Sequence, residues 1–245
     1  LELAIEAVNA KGGVLGKKLE LVHEDNKSIP QQAVVVYRKM MSEDKVVAFG
    51  SGCISAGNMA AASFVTKAKL PMFLCSILPQ QPDEQKWAFS FLPPPKFEVD
   101  SRYEYLKNKT DIRKVGVLGD PSPYGMLMRK FALEDAKDFG LEVVANESYQ
   151  QDDSDFSVQI GRINAAGAAI DDLNLIADPQ ARAAAEAFIT PLKKKLGDKG
   201  DTAQASRAWD SLQMMAMAME AAKTTEGEAV RNAFEKLGPY VGAGA

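Results

Sequence analysis

The residues best suited to bind a ligand or to react lie in the range 44–60, where glycines and serines separate an apolar run from an alanine-rich run. Gly50, Gly52 and Gly57 allow the backbone to turn and to approach a ligand closely. Ser55 brings a hydroxyl group to the start of the following helix, where free amide groups and the helix dipole favour an anion. This stretch therefore predicts a binding site for something small.

Two enzyme motifs resemble this stretch without matching it. The dinucleotide-binding fingerprint needs Gly or Ala where Ser55 stands and an acidic residue at the end of the next strand, which Leu70–Ser76 lacks. The Gly-x-Ser-x-Gly nucleophile elbow fails because Cys53 occupies the first glycine position. The one histidine, His23, lies in a strand-like alternation typical of a packed or solvated side chain. Neither enzyme motif is therefore present, and we predict no cofactor and no metal.

The composition is that of a globular chain of 245 residues, 46% hydrophobic and 25% charged, with a formal net charge of -4. This length suffices for two compact lobes. Lysines and arginines are scattered, which argues against a nucleic-acid partner or an anionic membrane surface. No apolar run approaches the roughly 20 residues of a membrane span. No signal peptide is present in the sequence, but a mature exported protein has already lost it.

The two cysteines, Cys53 and Cys75, both follow predicted strands. They form no metal-ligand spacing and are too few for a disulfide framework. A bridge between two strand ends is one interpretation. Two small apolar residues of a pocket or core are the other.

Strands and helices alternate with a period near 25 residues, which predicts an α/β fold of parallel sheets covered by helices on both faces. The predicted strands are Lys18–Glu24, Val46–Phe49, Leu70–Ser76, Lys114–Gly119 and Leu141–Tyr149. The predicted helices are Leu1–Val8, Gln31–Ser42, Asn58–Ala68, Glu98–Lys107, Met126–Phe139, Phe156–Ala165, Pro179–Leu196, Ala203–Lys223 and Glu228–Leu237.

Three consecutive prolines within Phe89–Phe97 interrupt this alternation. Prolines exclude a helix interior and favour a stiff extended segment, interpreted here as a crossing between lobes. The predicted division is residues 1–90 as the first part of lobe one, 91–170 as an incomplete lobe two, and 171–245 as a helical return mostly to lobe one.

Two irregularities in this layout suggest missing polypeptide. The first helix has no preceding strand, and three helices follow Ala165–Ala168 where a strand is due. We expect about one further strand before Leu1, a longer segment near Ala168–Asp171 and a tail after Ala245.

Several motifs together resemble the periplasmic leucine/isoleucine/valine-binding protein family, the extracytoplasmic solute receptors of ABC importers. The resemblance covers nearly the whole chain, and its first motif is the most specific. The matching stretches are Leu3–Val22, Glu24–Val34, Ser42–Ala48, Leu70–Met72, Lys114–Asp120 with Tyr124-Gly125, Asp155–Ser157, Ile163, Ala166–Ala168, Trp209–Ser211 and Tyr240–Gly242.

The resemblance implies the type I periplasmic binding protein fold, in which two doubly wound parallel-sheet lobes are joined by a multi-strand hinge. Such a receptor is a periplasmic monomer that closes by hinge bending on a ligand in the cleft between its lobes. It then delivers the ligand to a membrane permease. The resemblance thus implies a non-enzyme. A cytosolic small-molecule sensor or regulator domain of the same fold is the alternative, and an enzyme is a third class.

The resemblance also implies ligand contacts, residue by residue. Those in one lobe are Cys53, Ile54, Ser55, Ser76, Ile77 and Leu78, and the contact in the other lobe is Tyr124. Ser55 has an alternative role as a helix cap, and the apolar members have one as filling at the sheet end.

The resemblance implies a small carboxylate as the ligand, and a departure from the family pattern brings aromatic acids in beside amino acids. Amino-acid receptors of this family commonly have Ser or Thr where this chain has Ile54 and Leu78. Without hydroxyl donors, an α-carboxylate would be desolvated without partners. The predicted ligand is a small carboxylate, with branched-chain or apolar amino acids and aromatic acids both open.

Overall fold

The computed structural model describes residues 1–79, 81–150, 153–168 and 202–238. The chain divides into two compact units. The first unit contains residues 1–92 and the described C-terminal residues 202–238. The second contains the described residues between 93 and 168.

The first unit is built from helices around a short sheet. Its strands are β1 (Phe49–Gly52), β2 (Met72–Leu74) and β3 (Ala88–Ser90). Its helices are α1 (Glu2–Ala10), α2 (Pro30–Ser42), α3 (Ser55–Lys67), α4 (Pro82–Gln85), and then α8 (Thr202–Ala222) and α9 (Gly227–Phe234).

The sheet of the first unit is parallel, in the order β1-β2-β3, with Phe49 opposite Met72 and Met72 opposite Ala88. Every residue of β2 is buried. Phe73 packs with buried residues of α1, α8 and α9, whereas Met72 and Leu74 pack with those of α2 and α3. Because successive side chains point to opposite faces, helices cover both faces of this sheet.

The second unit contains α5 (Pro95–Lys109), β4 (Lys114–Gly119), α6 (Pro123–Asp135), a 3-10 helix (Ala136–Phe139), β5 (Glu142–Ser148) and α7 (Ser157–Ala165). Strands β4 and β5 are parallel. Val115 belongs to a core with α5 and α6. A Cβ on the next residue, Gly116, would lie 2.5 Å from Ile163 of α7. Helices therefore cover both faces here as well.

The predicted strand Lys18–Glu24 is wrong. Residues 18–26 contain neither helix nor turn, and none of them belongs to a strand of the described chain. A strand exists only where a second backbone supplies its ladder of hydrogen bonds. The alternation of side chains is present in this segment, but no strand among the described residues pairs with it.

The predicted strand Val46–Phe49 is displaced, since β1 begins at Phe49 and includes Gly50 and Gly52. The Phe49 N–H donates to the Pro71 carbonyl at 2.9 Å, so pairing starts where β2 comes within reach. Helix α3 begins at Ser55, three residues before the predicted start.

Two further boundaries differ because proline suits the first turn of a helix. Helix α5 begins within the proline run, at Pro95, and α6 begins at Pro123. Tyr124 consequently lies in the first turn of α6. The predicted strands Lys114–Gly119 and Leu141–Tyr149 and the helix Ala203–Lys223 are confirmed to within one residue. The predicted helix Pro179–Leu196 lies outside the described residues.

Candidate functional site

The carboxyl ends of β1, β2 and β3 meet at one edge of the first unit's sheet, because the strands are parallel. Open α/β sheets bind ligands at this edge. The residues that follow β1 and β2 here are the six predicted first-lobe contacts: Cys53, Ile54, Ser55, Ser76, Ile77 and Leu78. The fold therefore brings all six to one edge.

A disulfide joins Cys53 to Cys75, with a Cα–Cα distance of 4.7 Å. This decides between the two interpretations of the cysteines, since neither is free. The disulfide ties the segment after β1 to the segment after β2. The Cys75 N–H also donates to the Gly52 carbonyl at 3.2 Å, so the two segments are held by the backbone as well.

A buried polar network lies directly beneath this edge and centres on Asn58 of α3. The Asn58 Nδ2 group donates to the Gly52 carbonyl at 2.8 Å and to the Ser76 hydroxyl at 2.7 Å. Its Oδ1 accepts from the Tyr37 hydroxyl at 2.8 Å. The side chains of Tyr37, Asn58 and Ser76 are all buried, and burial raises the pKa of the Tyr37 phenol. The network ties α2 and α3 to both loops of the edge.

The approach of Asn58 to β1 depends on a glycine. A Cβ on Gly52 would lie 2.4 Å from the Asn58 Oδ1 atom, well inside contact distance. Glycine at position 52 is therefore required by packing against Asn58. The flexibility that the sequence suggests for this position is not needed, because Gly52 lies inside β1.

Ser90 extends the hydrogen bonding from β2 to β3. Its hydroxyl donates to the Ser76 carbonyl at 2.6 Å and accepts from the Leu92 N–H at 3.1 Å. Ser76 itself is 1% exposed, and its hydroxyl donates to the Ile77 carbonyl at 3.3 Å. The Ser76 side chain thus serves to shape the edge.

The exposed part of the edge is apolar. Ile54 is 39% exposed and Leu78 is 40% exposed, although both are large aliphatic side chains. Ile77 and Ser55 are buried, at 9% and 7% exposure. We call Ile54 and Leu78 the apolar rim. A surface of this kind fits an apolar group of a ligand.

The structure does not use Ser55 as the cap of α3. The N-cap residue is Ile54, which has an extended backbone and makes no side-chain capping hydrogen bond. Ser55 is the first helical residue. The first N–H groups of a helix have no acceptor within it, so this end of α3 offers donors beside the apolar rim.

Tyr124, the predicted contact of the other lobe, belongs to the second unit. Its hydroxyl donates to the Glu98 Oε2 atom at 3.0 Å, and the Arg102 guanidinium lies 3.6 Å from the same oxygen. Ser122 caps α6 by accepting from the Gly125 N–H at 3.0 Å. The Tyr124 ring is thereby held from two sides, by the helix start and by Glu98.

Sequence reasoning missed Asn58, Tyr37 and Glu98. Asn58 stands out as the one amide in an alanine-rich helix, and a polar residue on a buried helix face is a signal of internal hydrogen bonding. Its partners lie 21 and 18 residues away in the chain, so the signal does not name them. Glu98 and Tyr124 are 26 residues apart.

Within the described ranges, no group of three or more His, Cys, Asp or Glu side chains is placed to hold a metal ion. No helix in those ranges is long and apolar enough to span a membrane.

Residues 1–181 match the family described as Periplasmic binding protein. The Leu/Ile/Val-binding protein homolog 7 of Brucella melitensis is 30% identical over 180 residues, which are 69% of this chain and 44% of that protein. The chain therefore spans less than half the length of this curated relative.

Solved structures share the fold. A type 1 periplasmic binding protein from Bordetella pertussis superposes with a TM-score of 0.78 at 21% identity, covering 99% of this chain and 84% of the other. The branched-chain amino acid transporter substrate-binding protein LivJ from Streptococcus pneumoniae, in complex with isoleucine, gives a TM-score of 0.76 at 22% identity, with 99% and 83% coverage. The predicted type I fold is confirmed.

Proposed function

Because the chain belongs to the periplasmic binding protein family, we propose that it is an extracytoplasmic receptor that binds a small carboxylate with an apolar body. The ligand is a branched-chain or other apolar amino acid, or an aromatic acid. The protein binds and releases it without converting it chemically. The receptor delivers it to the membrane permease of an ABC importer. This role places the protein in the periplasm.

The observation that carries the proposal is the apolar rim. Ile54 and Leu78 remain about two-fifths exposed at the carboxyl edge of a parallel sheet. Covering apolar surface contributes about 25 cal/mol per Å² removed from water. A ligand with an aliphatic or aromatic body gains this contribution, and a small polar ligand does not.

The carboxylate end of the ligand has a partner next to the rim. Helix α3 begins at Ser55, immediately after Ile54. The N-terminal end of a helix carries a partial positive charge and unsatisfied N–H groups. We propose that these amides and the Ser55 hydroxyl hold the carboxylate.

The disulfide and the Asn58 network support binding by fixing the edge before a ligand arrives. A loop that is already ordered loses less conformational entropy when it binds. Because the network satisfies the Gly52 carbonyl and the Ser76 hydroxyl internally, we assign the rim and the helix start, rather than these two groups, to the ligand.

The comparisons bear on the choice between ligands. A relative is named for binding Leu, Ile and Val, and a fold neighbour was solved with isoleucine. Both favour a branched aliphatic body. The aromatic alternative is favoured by the lack of hydroxyl side chains at positions 54 and 78, since an aromatic acid has no ammonium group that needs hydrogen-bond acceptors from the protein.

A melting-temperature screen tests the proposal. The panel contains leucine, isoleucine, phenylalanine, benzoate and phenylacetate, with glycine and serine as small polar controls. A ligand at 100 times its Kd stabilises the folded state by about 2.7 kcal/mol when it binds only that state. Calorimetry then ranks the affinities. If no apolar carboxylate raises the melting temperature, or if serine outbinds isoleucine, the proposal is wrong.

A further inference from the structure

Glu98 of α5 is the residue that accepts the hydrogen bond of Tyr124 in the second unit. The Tyr124 hydroxyl donates to the Glu98 Oε2 atom at 3.0 Å. We propose that Glu98 is a positioning residue which, acting through Tyr124, makes the second unit prefer a ligand that carries an ammonium group. This inference rests on the small-carboxylate function proposed above and on Tyr124 as one of the ligand contacts.

The direction of this hydrogen bond decides what Tyr124 offers to a ligand. A phenol has a single proton, and a carboxylate accepts hydrogen bonds without donating any. The Tyr124 proton therefore points towards Glu98 and is not offered to the ligand. A ligand group that reaches the phenol oxygen meets lone pairs, which attract an N–H donor and repel a carboxylate oxygen.

The Glu98 carboxylate adds a negative charge one hydrogen bond away from the phenol oxygen. The Glu98 side chain is 14% exposed, so water screens this charge only in part. Its Oε1 atom is buried and has no hydrogen-bond partner among the described residues. A buried charge is costly unless it is compensated, so a cation that comes close to Glu98 lowers this cost.

Arg102 reduces the negative charge at Glu98 without cancelling it. Its guanidinium lies 3.6 Å from the Glu98 Oε2 atom, and its side chain is 57% exposed. An ion pair with a well-exposed partner contributes little, because water screens the interaction. The electrostatic environment of Tyr124 therefore favours an ammonium group over a neutral or anionic group.

Both side chains are held in place by their own helices. Tyr124 lies in the first turn of α6, which Ser122 caps, and Glu98 lies in the first turn of α5. The two helices are joined by the Tyr103 hydroxyl, which donates to the Ala132 carbonyl at 2.9 Å. An acceptor that is already ordered loses little conformational entropy when a ligand binds.

The preference for an ammonium group has a consequence for the choice among ligands of the proposed function. An apolar α-amino acid gains the contact with Tyr124, whereas an aliphatic or aromatic acid without an amino group does not. The expected difference in affinity is roughly ten- to hundredfold, the range for a hydrogen bond to a charged group.

Calorimetry with pairs of ligands that differ only in the amino group tests the inference. One pair is isoleucine and 3-methylpentanoate, and the other is phenylalanine and 3-phenylpropanoate. The wild type should bind the amino acid of each pair more tightly. Glu98→Gln keeps an acceptor for the Tyr124 hydroxyl but removes the charge, so the ratio of the two affinities should fall about tenfold. Glu104→Gln, an exposed change on the same helix, should leave the ratio unchanged.

Two further variants separate a role in selectivity from a role in folding. Tyr124→Phe keeps the ring and removes the oxygen, so it should also lower the ratio. Combined with Glu98→Gln, it should lower the ratio by less than the product of the two single effects, because both changes act on one hydrogen bond. Arg102→Gln should instead raise the ratio, by up to about fivefold, because it removes the neighbouring positive charge. A loss of structure cannot raise this ratio.

The outcomes distinguish this inference from the function on which it rests. Binding of neither pair, nor of any other ligand in the melting-temperature panel, would overturn both. If carboxylates bind but the wild type does not distinguish the members of a pair, the small-carboxylate function stands and the role of Glu98 is wrong. A Glu98→Gln protein that binds both members more weakly, with an unchanged ratio, would also overturn the inference, because it would show a structural role alone.

Discussion

At the scale of single residues, the carboxyl edge of the first unit's sheet has two kinds of side chain. Some are buried and hold the loops in place, and others are exposed to solvent. Ser76 and Asn58 are buried and bonded to each other, whereas Ile54 and Leu78 are exposed. Four residues at the same edge thus have two different roles. Substitutions in the two groups should change different measured quantities.

Ser55→Ala should weaken binding of the preferred carboxylate by about 1.5–3 kcal/mol, the range for a hydrogen bond to a charged group. The melting temperature without ligand should change little, because Ser55 is not the cap of α3. Titration calorimetry measures the affinity. Ser63→Ala, an exposed change on the same helix, is the control. Unchanged affinity in Ser55→Ala would remove its hydroxyl from the site.

Asn58→Ala should lower the free energy of unfolding by about 1–3 kcal/mol for each buried partner left unsatisfied. The Tyr37 hydroxyl loses its acceptor, whereas the Gly52 carbonyl keeps the Cys75 N–H and the Ser76 hydroxyl keeps the Ile77 carbonyl. Urea unfolding measures the loss, with the exposed Asn164→Ala as control. A loss equal to that of the control would show that the network contributes nothing.

At the scale of helices and strands, periodicity predicted most elements. Lys114–Gly119 and the helix near 203–223 follow from local side-chain patterns that packing also requires. The errors have long-range causes. Residues 18–24 have the pattern of a strand without a described ladder partner, and β1 begins where Pro71 comes within reach. Pattern alone specifies which face is apolar, not which backbone lies beside it.

In the candidate site too, local patterns predict some features, and others depend on partners far away in the chain. The positions of Ile54, Ser55 and Leu78 at one edge follow from predicted strand ends. The roles of Asn58 and Glu98 do not, because each depends on a partner many residues away. The capping role considered for Ser55 failed by one residue, a shift that local preferences do not resolve.

Gly125→Ala should disturb the start of α6. A Cβ at this position would lie 2.5 Å from the Asp120 Oδ1 atom and 2.7 Å from its backbone oxygen. We expect a destabilisation of about 1–3 kcal/mol, typical of overpacking, and a displaced Tyr124. Gly161→Ala on α7 meets no atom within 4 Å and should stabilise by about 0.4–1 kcal/mol. Urea unfolding measures the change in the free energy of unfolding of each variant. Equal changes in the two variants would contradict the prediction.

The contact between α5 and α6 should make the free energy of unfolding depend on pH in the alkaline range. The Tyr103 hydroxyl donates to the Ala132 carbonyl at 2.9 Å, and burial, with a smaller effect of Asp135, raises its pKa to about 12. The unfolded phenol has a pKa near 10. Its contribution is therefore complete below pH 10 and is lost as the pH rises towards 12.

Tyr103→Phe tests this dependence. The variant should be less stable near neutral pH, because the Ala132 carbonyl loses its donor, and its stability should fall less steeply between pH 10 and 12. Urea unfolding at several pH values measures the slope. Tyr105→Phe, on the same helix, is the control. Identical slopes in wild type and Tyr103→Phe would contradict the role of burial.

At the scale of the whole molecule, the disulfide stabilises the folded state, and it also bears on the cellular compartment of the protein. Cys53 and Cys75 are 22 residues apart, and the chain-entropy description gives a loop of that size about 3 kcal/mol. Disulfides persist in oxidising compartments such as the periplasm. The bond therefore supports the proposed extracytoplasmic location.

Reduction should lower the free energy of unfolding by about 3 kcal/mol. It should also weaken ligand binding, because the loops that carry Ile54 and Leu78 lose their covalent link. Unfolding with and without dithiothreitol measures the first effect and calorimetry the second. The doubly substituted Cys53→Ser, Cys75→Ser protein should be insensitive to dithiothreitol. Equal stability of oxidised and reduced wild type would contradict the prediction.

Substitutions at the apolar rim offer the proposed receptor a route to new ligands. Ile54 and Leu78 are about two-fifths exposed, while the groups that hold the edge in place are buried elsewhere. Exchanges at these two positions should therefore cost little stability, since surface substitutions usually change it by less than about 0.5 kcal/mol. Proteins with this scaffold can therefore acquire specificity for a different ligand through substitutions at two positions, while each intermediate sequence still folds.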